Sequence, residues 1–366
     1  MYGIKNNLLD FVKKDYKDRL PQFDFSLDCS FGTNPWGSWP GLGEMGDLLQ
    51  HIDGYPPEDG ELKERIIQHF ADAGKLTPEM ISLTLGSIGG IMTLDRMFLY
   101  PGKPVIGVAP QFTAAVDDFR LYGADYSPVY LQGGNGYHLQ VKDLIKAIDE
   151  TEEAYVYLDN PNNPTGQVLS VADLERIAAH AKAKNSFVVL DEAYGDYLDI
   201  RESAAGLLSQ FDNLAVIRSF SKGLGAAGIR LGYVMASPWL IKAFDLMNIP
   251  YSKSSLAGQI ALRLINSGWE KECSPLVIQG KTMLLQSLQL LKAAQTSRNV
   301  PITMIYTEDT GIDLANLMER VGLKVVSCRD YEGLGQNCVR LNLNRDMAAL
   351  IHLLGKTEAL LKVVHE

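Results

Sequence analysis

The chain has 366 residues, 46% hydrophobic and 21% charged, the proportions of an ordinary folded protein with room for two or three domains or one large α/β catalytic unit. Thirty-four Lys and Arg against 44 Asp and Glu leave a formal charge of −10, which speaks against broad attraction to nucleic acid or an anionic membrane but permits a local pocket for a small anion. No window reaches the roughly eighteen apolar residues of a membrane span, the N-terminus lacks the apolar stretch of a signal peptide, and Cys29, Cys273, Cys328 and Cys338 show neither CxxC nor Cys/His spacing, so free thiols in a reducing cytoplasm and no metal site are expected.

Residues 1–50 are irregular and rich in Gly, Pro and Trp (FGTNPWGSWPGLGEMG), as in an arm that packs on something else. From about 61 a helical pattern (ELKERIIQHFADAG) runs to Gly74. Short apolar runs then follow at ISLTL (81–85), PVIGVA (104–109), YVYLD (155–159), FVVLD (187–191), LAVI (214–217) and YVMA (233–236), with helix-length segments between several of them. The clearest such helix is 171–184, with Ser170 as N-cap and Asp173 completing a capping box. Continuous apolar strands alternating with helices predict a mostly parallel sheet covered on both faces. After the Ile249-Pro250 junction the pattern changes to long amphipathic helices (about 254–267, 276–295 and 345–364) around short strands such as PITMIY, LKVVSC and CVRLNL. The expected organisation is an arm over 1–50 that also contributes to a small domain, a large domain over 51–250, and a smaller α+β domain over 251–366.

Several short patterns fail on context. GLGEMG (41–46) and GLGAAG (223–228) match a dinucleotide fingerprint, but the first follows no strand and the second is separated from its strand by Ser219, Ser221 and Lys222, with no acid in the right setting. GKT (280–282) lacks the leading Gly of a phosphate loop, which is Pro275, and SFSK (219–222) lacks the companion motifs of the penicillin-binding enzymes.

Five segments place polar residues where predicted strands end, the edge at which open parallel sheets bind ligands. TLGSIGG (84–90) puts bare N–H groups and the Ser87 hydroxyl at a helix start, an anion site. DNPNNPTG (159–166) offers Asn163 from a proline-fixed turn. DEAYGDY (191–197) ends a strand on Asp191 with Tyr194 three residues later. SFSKGLGAAGIRLGY (219–233) carries two hydroxyls, Lys222 and Arg230, and CVRLNL (338–343) holds Arg340 as a lone cation in an apolar strand. Singly, each has a bland reading as turn-former, surface charge or edge decoration. Jointly they supply a phosphate cradle, an acid, a nucleophilic amine and a separate carboxylate clamp. Pyridoxal 5′-phosphate asks for that set: a lysine for its aldehyde, a carboxylate for its ring nitrogen, and N–H, O–H and Arg donors for its phosphate.

The motifs NPNNPTG, DEAY and SKGLGAAGIRLGY, in that order, resemble the fold-type-I, class I/II aminotransferases, closest to the branch of histidinol-phosphate aminotransferases and threonine-phosphate decarboxylases. The resemblance runs from SFGTNPWG (30–37) to VRLNL (339–343). It implies an α/β fold of type I, with a large domain of mostly parallel mixed sheet sandwiched by helices and a smaller α+β domain. It implies that Lys222 forms the Schiff base with the cofactor, that Asp191 pairs with the ring nitrogen, and that Asn163 and Tyr194 bond the ring's phenolic oxygen. Gly86, Ser87 and Ile88, with Ser219, Ser221 and Arg230, would hold the phosphate, and Phe112 would lie on the ring's face. Tyr55, in GYPPEDG, matches a tyrosine that reaches the neighbouring subunit's phosphate, which implies a homodimer with shared active sites. Asn34 lies in the segment that closes over substrate, and Arg340 matches the residue that grips the substrate carboxylate.

The reaction implied is transamination between an amino acid, or an amino-alcohol phosphate, and a 2-oxo acid, with Lys222 as general base and acid. Decarboxylation or elimination on the same fold, as in the threonine-phosphate decarboxylases, is the alternative. Arg218, Lys253 and Arg345 are the basic residues open to a role at a substrate phosphate, or to a structural one.

Overall fold

The structure, a computed structural model, describes residues 8, 11–14, 24–43, 54–56 and 58–365. The segment 44–50, including the second half of GLGEMG and the end of the expected arm, lies outside them. The strands are β1 (Leu27–Asp28), β2 (Ile81–Thr84), β3 (Pro104–Ala109), β4 (Asp125–Tyr130), β5 (Tyr155–Asp159), β6 (Phe187–Asp191), β7 (Leu214–Ser219), β8 (Gly232–Ala236), β9 (Lys292–Ala293), β10 (Ile302–Tyr306), β11 (Leu323–Lys324), β12 (Val326–Ser327) and β13 (Cys338–Asn342). The helices are α1 (Gly60–His69), α2 (Gly86–Phe98), α3 (Thr113–Leu121), α4 (Val141–Asp149), α5 (Val171–Ala183), α6 (Pro238–Met247), α7 (Ser255–Leu264), α8 (Trp269–Ser287), α9 (Leu314–Arg320) and α10 (Met347–His365).

Seven strands form the large sheet in the order β2-β8-β7-β6-β5-β3-β4. Neighbours pair in parallel except β8, which runs antiparallel to both β2 and β7. The central strands are buried along their whole length because both faces are covered. Pleating sends alternate side chains to opposite sides. In β5, Val156 and Leu158 join the core built with α1, α4, α5 and α7, whereas Tyr155 and Tyr157 join the core under α2, α3 and α6.

The segment 292–342 carries the second sheet, ordered β12-β13-β10-β9, packed with α8, α9 and α10 into a third apolar core. β1 joins that region by pairing in parallel with β11, and Cys29 lies in the same core. The predicted N-cap of α5 forms, Ser170 Oγ accepting from Asp173 N at 3.1 Å, while the Asp173 carboxylate accepts from the Ser170 hydroxyl at 2.8 Å, so the reciprocal bond to the Ser170 backbone is replaced by a side-chain one. Other expectations shift. The first helix ends at His69 and reaches Gly74 through a turn, and the 276–295 helix begins earlier, at Trp269, and stops at Ser287 because β9 follows. GKT lies inside α8, so its N–H groups belong to a helix ladder. All four cysteines are buried free thiols.

Candidate active site

Strands β2 and β5–β7 point their C-terminal ends to one edge of the sheet, and antiparallel β8 enters at the same edge, so segments far apart in sequence converge there. Ser219 pairs with Gly232 and Thr84 with Gly232, while Asp159 stands opposite Asp191. The sheet register therefore brings together Gly86, Ser87, Asn163, Asp191, Ser219, Ser221, Lys222 and Arg230.

Asp191 is 4% exposed, and its oxygens are held by two donors: Ala193 N to Oδ1 and Tyr157 Oη to Oδ2, both at 2.9 Å. Burial raises its pKa, opposed by those hydrogen bonds and by the Lys222 charge. Tyr157 is fully buried and stays protonated, burial and the two neighbouring aspartates pushing its pKa well above the usual range. Asp159 organises the next loop. Its Oδ2 accepts from Phe112 N (3.1 Å) and Asn163 N (2.9 Å), its Oδ1 accepts from Asn162 Nδ2 (3.0 Å), and burial pushes its pKa up to about 7. One carboxyl thus aligns the turn bearing Asn163 with the N-terminus of α3, where Phe112 is the capping residue.

An anion cradle forms where α2 begins. The first N–H groups of a helix have no partner within it and point outward. Gly232 lets this helix start lie against β8: a Cβ there would stand 2.6 Å from Gly86 C and 2.7 Å from Ser87 N. Arg230 closes the opposite side. It donates through Nη1 to Ala227 O at 2.8 Å and to Ser221 Oγ at 3.5 Å, and its Nη2 lies 2.9 Å from where a Gly86 Cβ would be. Ser221 N donates to Ser219 Oγ at 3.1 Å, folding the two hydroxyl residues into the same wall. Backbone N–H groups, hydroxyls and one guanidinium are the donor set that a phosphate dianion takes. With Asp191 and the Lys222 amine, these residues fit pyridoxal 5′-phosphate in charge and chemistry.

Lys222 Nζ lies 5.1 Å from the centre of the Tyr194 ring. Tyr194 is buried and its hydroxyl donates to Gly32 O at 3.4 Å. Gly32 makes this approach possible, since a Cβ there would fall 2.0 Å from Tyr194 Oη and 3.6 Å from Lys222 Nζ. Asn34 secures the Gly32 segment rather than presenting its amide to the cleft. It is 4% exposed, donating to Gly223 O at 2.8 Å and to Cys273 Sγ at 3.4 Å while accepting from Trp36 N at 2.9 Å.

Arg340 reaches the same cleft from β13. Its Nη2 donates to Ser30 O at 2.7 Å and its Nη1 to Asn163 Oδ1 at 3.3 Å and Tyr331 Oη at 3.4 Å. Tyr331 Oη also donates to Asn163 Oδ1 at 3.2 Å. Tyr55 stands elsewhere. It is 81% exposed, its ring 4.7 Å from that of Tyr251.

Of the three basic residues considered for a substrate phosphate, Arg218 is excluded by burial and pairing. It is 1% exposed and bonds Glu192 Oε2 at 3.0 Å and Asp196 Oδ1 at 2.5 Å, while Phe70 covers its guanidinium at 5.2 Å. Glu192 also accepts from Ser203 Oγ and Ala204 N, so the network braces the turn after Asp191 from behind. Lys253 is ion-paired with Asp59, and Arg345 is exposed beyond β13.

Sequence reasoning passed over Tyr157, Asp159, Gly32 and Tyr331. A usable signal existed for the first two, since YVYLD and FVVLD are neighbouring strands ending in Asp, and an in-phase pairing sets Tyr157 diagonal to Asp191. Gly32 and Tyr331 depend on tertiary approach and left no local pattern.

The family model described as aminotransferase class I and II matches residues 48–356. A histidinol-phosphate aminotransferase of Caldanaerobacter subterraneus subsp. tengcongensis is 30% identical over 335 residues, 91% of this chain and 90% of that protein. Among solved structures, a histidinol-phosphate aminotransferase of Sinorhizobium meliloti in complex with pyridoxal 5′-phosphate is similar at TM-score 0.77 and 20% identity, covering 92% of each chain. A Thermus thermophilus aspartate aminotransferase variant is similar at TM-score 0.82 and 21% identity, covering 97% of this chain and 99% of that one. These two structures share the fold.

Proposed function

The chain belongs to the class I and II aminotransferases and is a pyridoxal-phosphate-dependent aminotransferase; from that premise we propose that Lys222 is its working amine and that it exchanges an amino group between an amino acid, or an amino-alcohol phosphate, and a 2-oxo acid. What carries this assignment of residues is the meeting, on one sheet edge, of Lys222, Asp191 with its two hydrogen-bond donors, and the donor cradle of Gly86, Ser87, Ser219, Ser221 and Arg230.

Lys222 would bond the cofactor's aldehyde carbon, Asp191 its ring nitrogen, Asn163 and Tyr194 its phenolic oxygen, and Phe112 a ring face. When bound, the cofactor supplies an electron sink for the pair released at the substrate's Cα. Arg340 receives the substrate carboxylate through a planar fork suited to two oxygens. Lys222 Nζ takes the Cα proton as general base and delivers it as general acid, working beside the Tyr194 ring. Tyr157 and the Ala193 N–H favour the charged Asp191 carboxylate in a site whose burial opposes it. Asn34 holds the Gly32 segment over Lys222, excluding water on that side.

The working unit in this reading is a homodimer in the cytoplasm. Tyr55 is 81% exposed beside the exposed Tyr251, with Leu246 and Ile249 also exposed near the end of α6, an apolar surface of the kind a partner covers. Tyr55 would then complete the partner's phosphate site. The four buried free thiols suit a reducing compartment.

The test is a panel of amino donors, histidinol phosphate and aromatic and aliphatic amino acids among them, mixed with holoenzyme in the absence of an acceptor. Conversion of the cofactor absorbance to the amine form with at least one donor is expected, followed by recovery on adding a 2-oxo acid. Release of CO2 without any amine form would replace transamination with decarboxylation. Light scattering together with activity of mixed Tyr55→Phe and Lys222→Ala dimers tests the shared site.

A further inference from the structure

Resting on the aminotransferase reading, we propose that Tyr331 is a positioning residue of the carboxylate subsite, fixing the Asn163 amide while Arg340 engages substrate, and that Glu332 sets Tyr331 through a clasp on the large domain. An Asn side chain has one acceptor oxygen and one donor nitrogen. Two donors, Tyr331 Oη at 3.2 Å and Arg340 Nη1 at 3.3 Å, converge on Asn163 Oδ1. With Oδ1 taken by both, Nδ2 is the amide atom left to donate, which is what an ionised phenolic oxygen would need.

A substrate carboxylate competes for the same Arg340 nitrogen. Once Nη1 turns to it, Arg340 no longer restrains the amide, and Tyr331 keeps Oδ1 engaged, so that Nδ2 would stay available to the cofactor's phenolic oxygen. Tyr331 is suited to this: it is 6% exposed and packed in an apolar cluster with Met304, Tyr306, Cys328 and Cys338.

The next residue ties this loop across the molecule. Glu332 accepts from Arg120 Nη2 at 2.5 Å, at the end of α3, and from Tyr130 Oη at 3.1 Å, at the end of β4, and Lys14 Nζ stands 3.9 Å away. Arg120, Tyr130 and Lys14 hold its carboxylate ionised, with its pKa below the usual value despite partial burial. Lys14 N in turn donates to Asp117 Oδ2 at 2.7 Å, so part of the arm is fastened to α3 at the same place. The loop carrying Tyr331 is thereby referenced to the domain that carries Asn163.

The measurement is the affinity of the holoenzyme for a dicarboxylate such as maleate, read from the change in cofactor absorbance, with KM and kcat for the 2-oxo acid alongside. Tyr331→Phe should weaken maleate about tenfold and raise KM by a similar factor, with kcat changed less than about threefold. Glu332→Ala should weaken maleate by about three- to fivefold and Glu332→Gln by less, while the double variant Tyr331→Phe/Glu332→Ala should match Tyr331→Phe within about twofold because both act through one hydroxyl. An unchanged maleate affinity in Tyr331→Phe overturns the role of Tyr331. Additive losses in the double variant overturn the clasp. A wild-type holoenzyme whose absorbance ignores maleate, donors and oxo acids alike fails at the aminotransferase reading itself, and the two failures are thereby separated.

Discussion

Tyr157 donates its hydroxyl to Asp191 Oδ2 at 2.9 Å across the β5–β6 pair, and both residues are buried. The bond ties an aromatic core residue to the acid assigned to the cofactor's ring nitrogen. Burial raises the Asp191 pKa and this donor opposes it. Tyr157→Phe removes the opposition, leaving the Ala193 N–H and the Lys222 charge. A hydrogen bond to a charged group contributes about 1.5–3 kcal/mol, so kcat should fall by roughly tenfold or more. Because the acid then protonates more readily, the acid limb of the pH–rate profile should move to higher pH. A profile superimposable on the wild type would remove Tyr157 from the site.

Lys222→Ala deletes the sole amine given both the covalent and the proton-transfer role. Turnover should drop by at least about a thousandfold, since proton transfer by a positioned side chain contributes on the order of 10²–10⁴. The absorbance band of the protein-bound aldehyde should vanish as well. The cradle of Ser219, Ser221 and Arg230 does not depend on the amine, so reversible cofactor binding and an unchanged far-ultraviolet circular dichroism spectrum are expected. Residual turnover near that of the wild type would mean another amine does the work.

The strands were legible because β5, β6 and β7 are buried on both faces and read as unbroken apolar runs. The polar groups assigned to the cofactor were legible for a related reason: a strand that must end on a ligand edge ends on Asp191 or Ser219, against its own pattern. Arg218 shows the limit. One residue before Ser219, it reads as one more cation for an anionic ligand, yet pleating turns it to the other side, where Glu192 and Asp196 neutralise it. Tyr331 and Glu332 were illegible because their contacts join residues far apart in sequence, Tyr331 to Asn163 and Glu332 to Arg120 and Tyr130, a relation that leaves no period in the chain.

Gly232 stands at the tightest approach in the cradle. A methyl group there would fall 2.6 Å from Gly86 C, 2.7 Å from Arg218 O and 2.7 Å from Ser87 N, all backbone atoms that no rotamer change can clear. Gly232→Ala must move the start of α2 away from β8. Overpacking of this kind costs about 1–3 kcal/mol in stability. The sharper consequence is for the phosphate, whose donors would spread, so cofactor affinity should fall by at least about tenfold in a titration of apo-protein, each 1.4 kcal/mol of lost contact being one decade. Unaltered affinity would place the anion elsewhere.

Glu270, in the first turn of α8, is 5% exposed, and its Oε2 has no hydrogen-bond partner among the described residues. It lines a hollow of about 930 Å³ with Asp196, Lys271 and Arg218. Burial, with Asp196 adding to it against Lys271 and Arg218, raises its pKa from 4.5 to about 7. Between those two values the folded state holds a proton that the unfolded state has released, so stability falls as pH climbs from about 4.5 to about 7 and stays reduced above. Glu270→Gln removes that titration while keeping the shape. The variant should therefore stay close to wild type near the bottom of the window and exceed it by about 2–3 kcal/mol above the top, since a tenfold change in proton affinity corresponds to about 1.36 kcal/mol and local relaxation takes back part of the total. Urea midpoints at the two pH values measure the difference. An equal gain at both would tie the effect to packing, and a loss at the higher value would mean that the Glu270 carboxylate has a partner in the folded protein.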